Sequence, residues 1–84
     1  MKNKILIIVF VPLIERQFDI YIPETKKIGT VKNLIIKIIE EQNPGTFSSK
    51  DIRHLYDKDT GELLDDNLFV RNSKIENGSK IIMY

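Results

Sequence analysis

The clearest pattern along the chain is a change of hydrophobic period. Lys4 to Val11 is β-rich, apolar from Ile5 onward, and ends at Pro12, which cannot donate to a ladder and suits a strand end. Phe18, Ile20 and Ile22 then alternate with Asp19 and Tyr21 until Pro23, the period-2 signature of a half-buried strand. Leu13 to Arg16 lie between the two runs and predict an antiparallel hairpin. Leu6, Ile8 and Phe10 are expected on the same face as Phe18, Ile20 and Ile22. Because the first strand is apolar at every position from Ile5 onward, its register is less sharply specified than that of the second.

In the middle of the chain the period becomes helical. Val31, Leu34, Ile35 and Ile38 fall at i, i+3, i+4 and i+7, one stripe of an amphipathic helix. Ile36 lies outside that stripe and Ile39 on its margin. Thr30 is the expected N-cap, with a hydroxyl able to accept from a first-turn amide, and Asn43-Pro44-Gly45 is the expected stop. Strands return in the last third. Ile52 to Asp57 reads as a short strand, and Asp57 to Glu62 as a hairpin turn with Gly61 at positive φ. Leu63-Leu64 begins a brief return strand. Asp65 to Ile75 is irregular, anchored by Val70 and Ile75. Asn77-Gly78 turns the chain into a last strand, Ser79 to Tyr84. The order is ββαβ(β)β in a single domain spanning residues 1–84: an α+β fold with one helix on a mixed sheet of four to five strands.

Composition narrows the chemistry. With no Cys, the chain has no disulfide, thiolate metal site or thiol nucleophile. One histidine, His54, leaves little material for acid–base catalysis, so an enzyme is not expected. Thirteen basic residues against twelve acidic ones, spread along the chain, argue against a nucleic-acid partner. Nothing in the pattern calls for a cofactor or a small-molecule substrate. Met1-Lys-Asn-Lys ahead of Ile5 to Ile14 imitates a secretory signal, but the run is too short to span a bilayer. Glu15, Arg16, Gln17 and Phe18 also replace the small residues of a cleavage site. A buried strand and a cytoplasmic protein are the expectation, and Asn77-Gly-Ser reads as a turn rather than a glycosylation site.

Four stretches carry a family resemblance: Phe18-Asp-Ile-Tyr-Ile-Pro, Ile28-Gly-Thr-Val-Lys-Asn-Leu-Ile, Gly61-Glu-Leu-Leu and Ile75-Glu-Asn-Gly-Ser-Lys-Ile-Ile. Together they resemble the ubiquitin-like β-grasp proteins over roughly Lys4 to Tyr84. They look most like the YukD/EsaB family of small accessory proteins of type VII secretion clusters in Gram-positive bacteria. The resemblance implies a non-enzymatic protein-interaction module in the cytoplasm. A membrane component of the secretion machine would be its partner, at the inner face of the cell membrane. Conjugated relatives and sulfur carriers end in a flexible Gly-Gly, whereas this sequence ends Ile82-Met83-Tyr84 inside an expected strand. Conjugation to targets is therefore not expected. A carrier activated through its C-terminus is the less favoured alternative, and a self-assembling homodimer is the other.

Asp57, Asp59, Gly61 and Glu62 suggest a calcium loop, but the sixth and twelfth places counted from Asp57 hold Glu62 and Leu68 instead of glycine and glutamate. A turn is the better reading. His54 has no second histidine or cysteine to share a metal, and Asp59, Asp65 and Asp66 read as solvated loop carboxylates. Lys26, Lys27, Lys32 and Lys37 form a mildly basic flank to the helix, compatible with an anionic membrane surface. The expectation that outweighs these is an apolar patch. If Leu6, Ile8, Phe10, Phe18, Ile20, Ile22, Leu55, Ile81 and Met83 face the helix, period 2 sends Ile5, Ile7, Val9 and Val11 to the other face. Tyr21, His54, Tyr56, Ile82 and Tyr84 go with them. A single helix cannot cover both faces. Ile7, Val9, Tyr21, His54, Tyr56, Ile82 and Tyr84 are thus the expected protein-binding residues. By the resemblance, Tyr56, Ile82 and Tyr84 occupy the strand positions that build ubiquitin's main recognition patch.

Overall fold

A computed structural model describes residues 4–45, 50 and 54–84. Strand β1 (Lys4–Val11) and strand β2 (Arg16–Pro23) form an antiparallel hairpin, followed by helix α1 (Ile28–Gln42). Strand β3 (Leu55–Asp57) and strand β4 (Lys80–Met83) complete one sheet in the order β2-β1-β4-β3. The central pair, β1 and β4, is parallel, and both outer pairings are antiparallel. The fifth strand is reduced to one bridge, Tyr56 to Leu63. The expected strand start at Ile52 lies outside the described residues.

The hairpin decides which side chains enter the core. Pro12–Ile14 form a 3-10 turn, closed by Glu15 at φ 51°, whose N–H donates to the Pro12 carbonyl at 3.1 Å. Four residues therefore separate the paired Val11 and Arg16. An even loop pairs odd positions of one strand with even positions of the other, so Ile7 faces Ile20 and Val9 faces Phe18. The apolar positions of β2 are even-numbered and point at the helix. They carry the odd-numbered positions of β1 with them: Ile7, Val9 and Val11 are each no more than 1% exposed. The expected faces of β1 are thus exchanged. Leu6, Ile8 and Phe10 lie on the solvent side, half-buried.

Helix α1 closes the core with Ile28, Val31, Ile35, Ile36 and Ile39, all buried. The buried stripe is rotated from the expected one: Ile36 and Ile39 belong to it, whereas Leu34 is 45% exposed. The helix also begins a turn earlier than Thr30 suggests. Lys27 is the N-cap and contributes no side-chain cap bond. The first amides are satisfied from elsewhere, Ile28 N–H by the Leu68 carbonyl at 2.8 Å and Gly29 N–H by the Asp66 carbonyl at 3.0 Å. Glycine at position 29 suits this approach, since a Cβ would lie 3.2 Å from both the Cβ and the carbonyl oxygen of Asp66, a tight contact that Asp66 would have to relieve by a few tenths of an ångström. At the other end the expected stop holds: Asn43 N–H donates to the Ile39 carbonyl at 3.0 Å. The Asn43 side chain accepts from Arg16 Nη1 at 2.8 Å, tying the helix end to the start of β2. Val70 and Ile75 anchor the irregular segment as expected, both buried in the same cluster as Leu55, Ile81 and Met83.

Candidate functional site

The side chains that the hairpin turns away from the helix form the outer face of the sheet. Alignment across β1, β4 and β3 puts Phe10, Ile82 and Tyr56 in one row, extended by Gln17 on β2. The next row holds Asp19, Ile8 and Lys80. Lys58 continues it, with its N–H bonded to the Lys80 carbonyl at 3.0 Å. Leu6 and Tyr21 face each other one step further along the hairpin. No described element covers this surface, because the sheet's other face takes the helix.

Aromatic residues concentrate at the β3–β4 end of the face. His54 and Tyr84 exchange backbone hydrogen bonds at 2.9 and 3.0 Å, which extends the β3–β4 pairing by one residue pair. The Tyr56 ring then stands edge-on to both neighbours, with centroids 6.1 Å from His54 and 5.6 Å from Tyr84. Edge-to-face packing of this kind holds rings in defined positions and adds about 0.5–1.5 kcal/mol per pair beyond burial. Tyr21 and Tyr84 are 63% and 54% exposed, while Tyr56 and Ile82 are half-buried between them and the rest of the sheet.

Of the seven residues expected to bind protein, Tyr21, His54, Tyr56, Ile82 and Tyr84 lie on this face. Ile7 and Val9 do not. They are core residues, 1% and 0% exposed, because the even hairpin loop turns them toward the helix. Leu6, Ile8 and Phe10 take their place on the outer face, and the signal that finds them is the parity of the loop rather than anything within the strand.

The other candidates resolve into local structure. Asp57 Oδ1 accepts the amides of Asp59 at 2.8 Å and Thr60 at 3.1 Å, and Gly61 sits at φ 74°, so the acidic loop is a side-chain-stabilised turn. No cluster of three metal-ligating side chains occurs among the described residues. In the basic flank of the helix, Lys32 pairs with Asp66 at 2.7 Å and Lys27 lies over the Phe69 ring at 5.9 Å. Those two charges are engaged within the molecule. No described helix is long and apolar enough to cross a membrane.

Comparison with known proteins agrees with this architecture. The ubiquitin-like domain of an Arabidopsis thaliana protein is 24% identical, with a TM-score of 0.71 over 98% of this chain and 77% of that one. The fold is ubiquitin-like. The ubiquitin-like domain of EccD5 from Mycobacterium xenopi gives a TM-score of 0.76 at 15% identity, covering 96% of this chain and 92% of that one. A chain of an ESX-5 inner-membrane complex gives 0.78 at 10% identity, with 98% of this chain matched to 21% of that one. No protein-family model matches the sequence, and no curated protein matches it. At these identities the likeness is one of fold.

Proposed function

We propose that this chain is a non-enzymatic ubiquitin-like binding module that works through the outer face of its sheet. In this reading it serves as a cytoplasmic accessory component of a type VII-like secretion system, of the YukD/EsaB kind, at the inner face of the membrane. The observation that carries the proposal is the uncovered row Phe10–Ile82–Tyr56 with the Tyr84 and His54 rings beside it. Contiguous apolar surface on a small domain is costly unless a partner uses it. Tyrosines suit such a role, since each buries a large ring while keeping a hydroxyl for water in the free state. The secretion setting is supported by fold likeness to the EccD5 domain and to a chain of the ESX-5 inner-membrane complex.

The test is binding of the purified protein to the inner-membrane secretion complex of its own cell. Tyr56→Ala and Ile82→Ser should each weaken binding by about tenfold or more, as expected of truncations at an interface hot spot. Both variants should still melt cooperatively, because the helix-side core is intact. Undiminished binding by both would overturn the reading. Concentration-dependent sedimentation abolished by the same substitutions would instead assign the face to a homodimer.

A further inference from the structure

The apolar row on the outer face runs beyond the named strands. Tyr56 bridges Leu63, so Leu63, 57% exposed, extends the row Phe10–Ile82–Tyr56 by one position. A depression of about 300 Å³ lies against this row, lined by Ile8, Phe10, Gln17, Lys58, Lys80 and Ile81. Ile8 and Phe10 supply half-buried apolar surface there, and Lys58 and Lys80 are exposed beside them.

The two lysines stand opposite one another, with the Lys58 N–H bonded to the Lys80 carbonyl at 3.0 Å. Like charges directly opposite on a strand pair destabilise it. The carboxylates nearby do not relieve them. Neither lysine forms an ion pair among the described residues. Asp57, next to Lys58 in the chain, gives its Oδ1 to the amides of Asp59 and Thr60. Asp19 shares the row of Lys80 but stands on β2, with Ile8 of β1 between them. The free protein is left with two adjacent cations beside an apolar row, an arrangement that folding does not require.

Resting on the reading of this face as the working surface, we propose the chemistry of the segment that occupies it. The partner presents apolar side chains to the row from Phe10 to Leu63 and an aspartate or glutamate to Lys58 and Lys80. Complementary charge beside an apolar contact chooses a partner by sign as well as by fit. A segment with lysine or arginine at the same place is disfavoured. Asp19 confines the site to a local carboxylate on the β3–β4 side, since an extended plane of negative charge would meet Asp19 as well. The lysines also set direction: the acidic residue lies toward the start of β4, and the apolar residues lie toward Tyr84.

The experiment uses the full chain, isotope-labelled for amide NMR and titrated with two short peptides, one of leucines flanked by glutamates, the other of leucines flanked by lysines. The glutamate peptide should shift the amides of Phe10, Lys58, Lys80 and Ile82 saturably and bind about tenfold or more tighter than the lysine peptide, a margin that shrinks as salt is raised. Lys80→Glu, which places a carboxylate opposite Lys58, should abolish the preference while the protein becomes no less stable. Lys58→Glu combined with Lys80→Glu should invert it. Equal affinity for both peptides, with shifts on this face, would overturn the charge selection and leave the apolar working surface standing. No saturable shift on this face from either peptide would overturn the proposal, and the working surface itself is judged separately by Tyr56→Ala and Ile82→Ser against the secretion complex. Binding to vesicles of anionic phospholipid, or self-association, that is lost in the doubly substituted protein would give the lysines to a lipid surface or a second copy and overturn the proposal as well.

Discussion

The two faces of the sheet are built from neighbouring residues of the same strands, yet they have opposite fates. Ile7, Val9, Ile81 and Met83 are no more than 1% exposed, while Ile8, Phe10 and Ile82, one residue away along the same backbones, are half-buried at the surface. Hydrophobicity does not separate them, since isoleucine occurs on both sides. What separates them is whether an element remains to cover the face. Helix α1 supplies one cover, and no second one exists among the described residues. The inner face carries stability. The outer face is left with apolar side chains that the fold does not require.

The largest effect that can break this comparison comes from adjacent positions on β1. Ile7→Ala should destabilise by about 2–5 kcal/mol, the range for emptying a packed isoleucine site. Ile8→Ala removes side chain that is partly in water already and should cost about 1 kcal/mol or less. Urea denaturation of the two variants measures the difference. Equal losses would mean that the faces of β1 are not those described.

These neighbours also mark how far the sequence could be read. The alternation of β2, the stop at Asn43, the turn at Gly61 and the anchors Val70 and Ile75 each carry a local signal, and each is where that signal puts it. Strand β1 carries only one polar position, Lys4 at its start, and the apolar run from Ile5 to Val11 fits either face equally well. Its orientation is settled by a four-residue loop whose length is invisible to hydrophobic patterning. The helix start is similar. Lys27 is a poor cap by type, and the amides of Ile28 and Gly29 are satisfied by carbonyls of Leu68 and Asp66, some forty residues later in the chain. Only the tertiary fold brings those groups together. The candidate site was legible wherever it rests on β2, β3 and β4, namely Tyr21, His54, Tyr56, Ile82 and Tyr84, and not where it rests on β1.

A smaller effect sharpens the contrast from the charged side. Lys58 and Lys80 are opposite one another on the outer face, and neither forms an ion pair among the described residues. Like charges directly across a strand pair are destabilising by a few tenths of a kcal/mol to about 1. Lys80→Glu should therefore raise the midpoint of urea unfolding slightly at low salt, and the gain should fade as salt screens the pair. A loss of stability at low salt would mean that this face contributes packing through the Lys80 stem.

The central claim, that the outer sheet face is the working surface, is tested most directly by site-specific photo-crosslinking in the living cell. A photoreactive phenylalanine analogue placed at Tyr84 reports on the outer face, and one at Leu34 reports on the helix side, at comparable exposures of 54% and 45%. The account predicts a discrete adduct from position 84, lost when Ile82→Ser is introduced alongside it, and none from position 34. Capture of the same partner from position 34, with none from position 84, would contradict it.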